Sequence, residues 1–411
     1  MRPILFKSSL LSLVAMTLFS CSGQMSEEEI KQKALNIHDQ ILTVDTHNDT
    51  PMRFNNPDFD MSERHDASGR RSGKVDFPRM KEGGLDAAFF AVFVGQGPRD
   101  AEGNERAYKR AVQTFENIHR VVAENPDIAG LALTPEDAYR LEKEGKRIVF
   151  IGMENGYPIG EDLSKLKEFH DRGTRYITLC HSSNNSICDS STDRNGPEFN
   201  GLSDFGVKVV EEMNRLGLMV DLSHASDDTF YDAIDVSKAP VIASHSCCYE
   251  LCANPRNLKD DMLRKLAENG GVMQMCILNN YLVEPVENPE RDSAEAALRI
   301  KYRNFQDLSE EERNKARDEF NKLREKYPEK RATVKDVVDH IDHVVEVAGI
   351  DHVGIGTDFD GGGGIEGCND VSEMGNITIE LVRRGYSKKD IQKIWGGNIM
   401  RVLKEVQELA T

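Results

Sequence analysis

Six stretches of this 411-residue chain end a short apolar run in an imidazole or a carboxylate. LTVDTHND (42–49) ends in His47 and Asp49, two residues apart and therefore on the same side of an extended strand. RIVFIGMENG (147–156) sets Glu154 between an apolar run and a glycine turn, where a buried acid is costly unless it is paired or metal-bound. YITLCH ends at His181, LMVDLSH at His224, PVIASH at His245, and HVGIGTDFDGG offers Asp358 and Asp360. The chain has eleven histidines and four stand at such ends, which points to a shared task rather than to separate loop or capping roles. His47, Asp49, Glu154, His224 and His245 make a nitrogen and oxygen donor set suited to zinc or a similar divalent ion. Five donors exceed what one tetrahedral catalytic ion with an open position accepts. Two ions joined by one carboxylate fit better, and Glu154 is the natural bridge. Asp221, inside VDLSH, is expected to orient a neighbour.

The elements that must position these groups alternate regularly. Apolar, β-branched and aromatic runs at 42–49, 85–94, 147–153, 176–180, 218–222, 240–243, 271–277 and 352–356 read as eight strands. Helical patterns at 101–123, 164–172, 204–216, 227–236, 260–269 and 334–348 lie between them, and Ser26 with Glu29 opens a further helix over 26–40 as a capping box. Strands that are apolar throughout and joined by crossover helices imply a parallel sheet buried on both faces. Eight such units close most simply into a (β/α)8 barrel of the TIM type, with its active site at the C-terminal ends of the strands. An open doubly wound sheet is the alternative, but no glycine-rich phosphate turn follows an early strand. A segment dense in Glu, Lys and Arg, residues 283–331, interrupts the series after the seventh strand. It reads as a solvated helical insertion, with roles as a lid or a homodimer contact left open. Residues 41–411 are expected to form one hydrolase barrel, with 21–40 as an N-terminal tether and helix.

The motifs VDTHND, GMENG, TLCHSSNN, VDLSHAS, ASHS with a downstream PRN, and GTDFDG occur in that order between residues 41 and 402. Together they resemble the membrane (renal) dipeptidase family of zinc peptidases, within the amidohydrolase superfamily. The resemblance implies two Zn2+ ions, one held by His47 and Asp49, the other by His224 and His245, with Glu154 between them. It further implies that His181 faces the scissile carbonyl, that Arg256 holds the substrate's C-terminal carboxylate, that Asp358 handles protons and that Tyr281 lines the substrate pocket. Two cations acidify a shared water, so the implied reaction is attack of hydroxide on the peptide bond of a dipeptide. An amine leaves well only when protonated, which gives Asp358 its second task. Alternative readings keep the metals but change the substrate to N-acyl amino acids, lactones or phosphoesters, or make the chain a peptide-binding lipoprotein without turnover.

Residues 1–20 combine a short basic start with an apolar run at 10–19 that is too short to span a bilayer permanently, the pattern of an export signal. LFSC (18–21) resembles a bacterial lipobox, which makes Cys21 the expected lipidated residue and the protein an exported one tethered to a bacterial cell membrane. The formal net charge is −18, and such an acidic chain excludes nucleic acid as a partner. Apart from Cys21, seven cysteines remain and none has C-x-x-C spacing, so no zinc knuckle or redox pair is expected.

Overall fold

A computed structural model describes residues 25–56, 58–66, 73–303, 308–328 and 330–411. The leader, residues 1–20, and Cys21 lie outside the described residues. Among the described residues, nine strands form one sheet in which every pairing is parallel: β1 (Val44–Asn48), β2 (Ala87–Phe93), β3 (Ala129–Leu131), β4 (Arg147–Glu154), β5 (Thr174–Thr178), β6 (Met219–Asp221), β7 (Ile242–Ser246), β8 (Val272–Met275) and β9 (Val353–Ile355). Eight of them follow one another in the order β1-β2-β4-β5-β6-β7-β8-β9, a nearly closed (β/α)8 barrel. The ninth, β3, lies off this path and pairs with the first three residues of β4. Ala-Gly-Leu is too short to show any periodicity, so this strand left no trace in the sequence pattern.

The ends of the ring meet through main chain. Asp49 N–H donates to Phe359 O at 2.8 Å and Asp358 N–H to His47 O at 2.9 Å. Below this seam the buried Asp45 carboxylate accepts from Thr357 N–H at 2.7 Å and the Thr357 hydroxyl at 2.8 Å. The closure therefore brings the tips of β1 and β9 side by side, and with them Asp49 and Asp358.

Three strands run past the apolar stretches that suggested them, β4 by the single residue Glu154. β5 starts at Thr174, because the Arg175 guanidinium is satisfied by the carbonyls of Leu133, His170 and Thr174. β7 runs to Ser246, because Asp221 accepts from Ser244 N–H at 2.7 Å and from the Ser244 hydroxyl at 2.6 Å, which makes a serine tolerable in a buried strand. The core fills both the barrel and the shell between strands and helices, with Phe89, Phe90, Phe115, Phe150, Tyr176 and Trp395 fully buried.

Between β8 and β9 the acidic and basic stretch forms two helices, Pro289–Lys301 and Glu310–Lys326. They pack on each other through Tyr302, Leu308, Ala316 and Phe320, a cluster separate from the barrel core. After β9, helices at Gly375–Arg383, Lys388–Gln392 and Asn398–Glu408 complete the shell. No described helix is long and apolar enough to cross a membrane.

Candidate metal centre

Glu154 is the last residue of β4, level in register with Phe93 on β2 and Thr178 on β5. Its side chain is buried, and its two oxygens face different neighbours. Oε2 lies 3.6 Å from His47 Nε2, while Oε1 lies 3.1 Å from His224 Nε2, 3.5 Å from His245 Nε2 and 3.7 Å from His181 Nε2. Asp49 Oδ2 is 3.7 Å from His47 Nε2, and Asp358 joins His47 and Asp49 in a third group of donors close enough to share one ion. Of the residues singled out in the sequence, His47, Asp49, Glu154, His181, His224, His245 and Asp358 are thus brought together. Asp360 turns away to pair with Arg53 at 2.9 Å and to accept from Thr50.

Local backbone explains how the tips aim their side chains. His224 and Asp358 both occupy left-handed conformations, with φ of 71° and 57°, as does Asn155 directly after Glu154 with 75°. Non-glycine residues adopt this region at a cost of order 1 kcal/mol or more, and strain of that kind collects at functional sites. These turns follow β6 and β9 and leave His224 beside Glu154 and Asp358 beside His47 and Asp49.

The electrostatics favour cation binding. Burial alone raises the Glu154 carboxyl, but His47, His224 and His181 reverse this and hold it well below the usual carboxylate range. Burial, reinforced by neighbouring positive groups, pushes His224 and His245 well below the ordinary imidazole range, so both are neutral and carry a lone pair. The Asp358 carboxyl is driven well above its ordinary range, by burial first and by the Asp49 carboxylate second. His47 Nε2 and Asp49 Oδ1 are buried without a hydrogen-bond partner among the described residues. Such atoms are costly to bury bare and are what a bound cation satisfies. The donor set therefore fits a metal of the zinc type.

Groups outside the cluster orient it. The Ser244 hydroxyl sits 2.8 Å from His245 Nδ1 and donates to Asp221, so a proton on Nδ1 has an acceptor and Nε2 is left facing Glu154. Tyr176 OH lies 2.8 Å from His47 Nδ1. Ser244 and Tyr176 escaped the sequence reading; Ser244 had a signal in directly preceding a tip histidine, whereas Tyr176 lies inside an apolar run and had none.

Arg256 belongs to the loop after β7. It is buried, donates from Nη2 to His245 O at 3.2 Å, stacks its guanidinium 5.3 Å above the Tyr281 ring and has no partner for Nε among the described residues. Asn257 ties this loop to the carbonyls of Cys252 and Tyr281. Burial pushes the Tyr281 phenol up to about 12, so it stays neutral beside the guanidinium. His181 is the most open of the four imidazoles, 26% exposed, with Phe93 edge-on at 4.9 Å and the Ser182 hydroxyl on Nδ1 at 2.9 Å. The seven cysteines that fall within the described residues are all buried and form no disulfide among those residues.

Residues 31–411 match the family described as membrane dipeptidase, peptidase family M19. The chain belongs to this family. It is 32% identical over 394 residues to the dipeptidase ataJ of Aspergillus terreus, covering 90% of this chain and 86% of that protein. The dipeptidase verJ of Clonostachys rogersoniana is 31% identical over 92% of this chain and 87% of its own. Among solved structures, the probable dipeptidase PvdM of Pseudomonas aeruginosa superimposes with a TM-score of 0.80 at 31% identity, covering 93% of this chain and all of that one. Membership of the membrane dipeptidases makes the chain a hydrolase of the metallopeptidase class, and the clustered His, Asp and Glu side chains are its candidate metal ligands.

Proposed function

We propose that the protein is a dizinc dipeptidase that hydrolyses the single peptide bond of a dipeptide, holding the substrate by its free C-terminal carboxylate. The observation that carries this reading is the division of the Glu154 oxygens, one toward His47 and the other toward His224 and His245. A carboxylate so shared is suited to bridge two cations, with His47 and Asp49 on one side and His224 and His245 on the other. When bound, the two ions acidify a water and polarise the scissile carbonyl.

The side chains do the rest. His181, half-buried at the rim and within reach of Glu154, is the donor for the oxygen that gains charge as the carbonyl becomes tetrahedral. Asp358, grouped with His47 and Asp49, takes a proton from the attacking water as a carboxylate and returns it to the departing amine. Arg256 has an unused Nε and is aimed by the His245 carbonyl and the Tyr281 ring, which suits it to a terminal carboxylate. Tyr281 forms the wall beside that carboxylate. A lipid on Cys21 would tether the exported enzyme to a bacterial cell membrane, on its periplasmic or surface face.

The test is turnover of a dipeptide panel by the zinc-loaded full chain, with L and D residues at the second position and matching C-terminal amides. Cleavage of free dipeptides with little cleavage of the amides is expected. Cleavage of lactones or phosphoesters but not of dipeptides would overturn the proposal. Replacing Cys21 with alanine is expected to release the protein from the membrane fraction, and retention there would refute the anchor.

A further inference from the structure

A histidine ligates through one nitrogen only if the other carries the proton, so what touches the far nitrogen matters as much as the ligand itself. For His47 that contact comes from a distance. Tyr176 lies on β5, three places round the barrel from β1, and its side chain crosses the interior beneath the site to put its hydroxyl 2.8 Å from His47 Nδ1. The crossing is built into the sequence of β4. Gly152 is the register partner of Tyr176, and a Cβ there would lie 2.1 Å from the Tyr176 Cζ and 2.4 Å from its Cε1 and hydroxyl oxygen. Any side chain at 152 would take the space the phenol occupies. The ring is further held by Phe89, at 5.5 Å between centroids, and is fully buried. On the other side of the imidazole, Nε2 faces Glu154 and Asp49 at 3.6 and 3.7 Å with no hydrogen-bond partner among the described residues.

From this geometry we infer that Tyr176 is a positioning residue of the metal centre: its hydroxyl oxygen accepts the Nδ1 proton of His47, fixing ring orientation and tautomer so that Nε2 presents its lone pair to a cation. The inference rests on the metal reading proposed above. It gives His47 the support that Ser244 and Asp221 give His245. It also assigns β5 two tasks, since the same strand leads into His181 at the rim. The opposite arrangement, in which the phenol donates into Nδ1, leaves the proton on Nε2 and bars a cation from it.

The deciding variant is Tyr176→Phe in the full chain, which keeps the ring, its packing and the Gly152 gap and removes one oxygen. Zinc affinity is read by competition with a chelator, the ligand field by the visible spectrum of the cobalt-substituted protein, and the fold by the melting temperature of the metal-free form. Expected are a fall in affinity of about 10–100-fold, the range for loss of an outer partner of a ligating histidine, a shifted cobalt band and an unchanged metal-free melting temperature. Gly152→Ala, which crowds the ring but retains the hydroxyl, is expected to lower affinity in the same direction. Wild-type affinity and spectrum in Tyr176→Phe, or affinity above wild type, would overturn the inference. So would a lower metal-free melting temperature with unaltered zinc binding, the signature of a packing role alone. A wild-type chain that binds no zinc would fail at the first step, and that result strikes the metal reading itself.

Discussion

The Nε2 atoms of His224 and His245 stand 3.0 Å apart, and both face the same oxygen of Glu154. Two neutral imidazoles held this close offer two lone pairs to at most one shared proton, an arrangement that a cation between them and the carboxylate relieves. Glu154→Gln keeps the shape and removes the charge. It is expected to lower both bound zinc and kcat/KM by more than the roughly 10–100-fold that loss of an outer partner costs. Metal analysis alongside steady-state kinetics checks this, and a variant with full metal content and wild-type turnover would refute the bridge.

Arg256 provides the second expectation. Arg256→Ala should raise KM for free dipeptides, with a loss of about 2–5 kcal/mol in apparent transition-state binding, as for truncation of one member of a buried charge pair. C-terminally amidated analogues should lose far less. Equal losses on both, measured as kcat/KM ratios, would argue against carboxylate capture.

Gly361 is fixed by space. A Cβ there would lie 2.1 Å from Asp49 Oδ2 and 2.2 Å from Asp358 Oδ1, between the two acids that the barrel seam brings together. Gly361→Ala should push at least one carboxylate aside and reduce kcat about 100-fold, the scale of a misplacement near 1 Å. Because Gly361 lies in the exposed loop after β9, its melting temperature should change little. A kcat within two-fold of wild type would show that the acids tolerate the shift.

Acid stability should depend on two histidines outside the donor cluster. His340 accepts Cys248 N–H at Nδ1 and donates from Nε2 to Leu282 O, both at 3.0 Å, and so is bonded as a neutral ring. His38 is similarly buried between the Thr378 hydroxyl and Gly83 O. Burial lowers the pKa of each below 6.5 in the fold, so the unfolded chain binds protons that the native one does not. Their contribution is complete above pH 6.5 and is lost as pH falls, by at most about 1.4 kcal/mol per pH unit for each. Urea midpoints of the metal-free protein between pH 7.5 and 5 should fall, and His340→Gln should flatten that slope. An unchanged slope in the variant would assign the acid sensitivity elsewhere.

The barrel was legible because buried parallel strands are apolar throughout, and 147–153 or 271–277 can hardly be anything else. The tip residues were legible because a histidine or acid directly after such a run is out of place unless it has work to do. The polar parts of the frame were not. Ser244 to Ser246 reads as a loop until Asp221 is seen to satisfy it, and Thr174 and Arg175 read as a turn until three carbonyls close on the guanidinium. Partners like these come from other strands, and the spacing along one strand carries no mark of them. Tyr176 is the extreme case. Its hydroxyl acts on a residue 129 positions earlier, and its side chain type is what any core strand could contain.

The paired helices at 289–326 have their own small apolar cluster and an outer surface of ion pairs, such as Lys301 with Glu319 and Arg299 with Glu295. A unit that buries so little against its neighbours has little reason to melt together with them. Its amides should exchange with deuterium well before those of the strands, through openings that leave the catalytic frame intact. Evolution is correspondingly free to lengthen, trim or re-charge this appendage, since the eight-stranded ring beneath draws almost none of its cohesion from it.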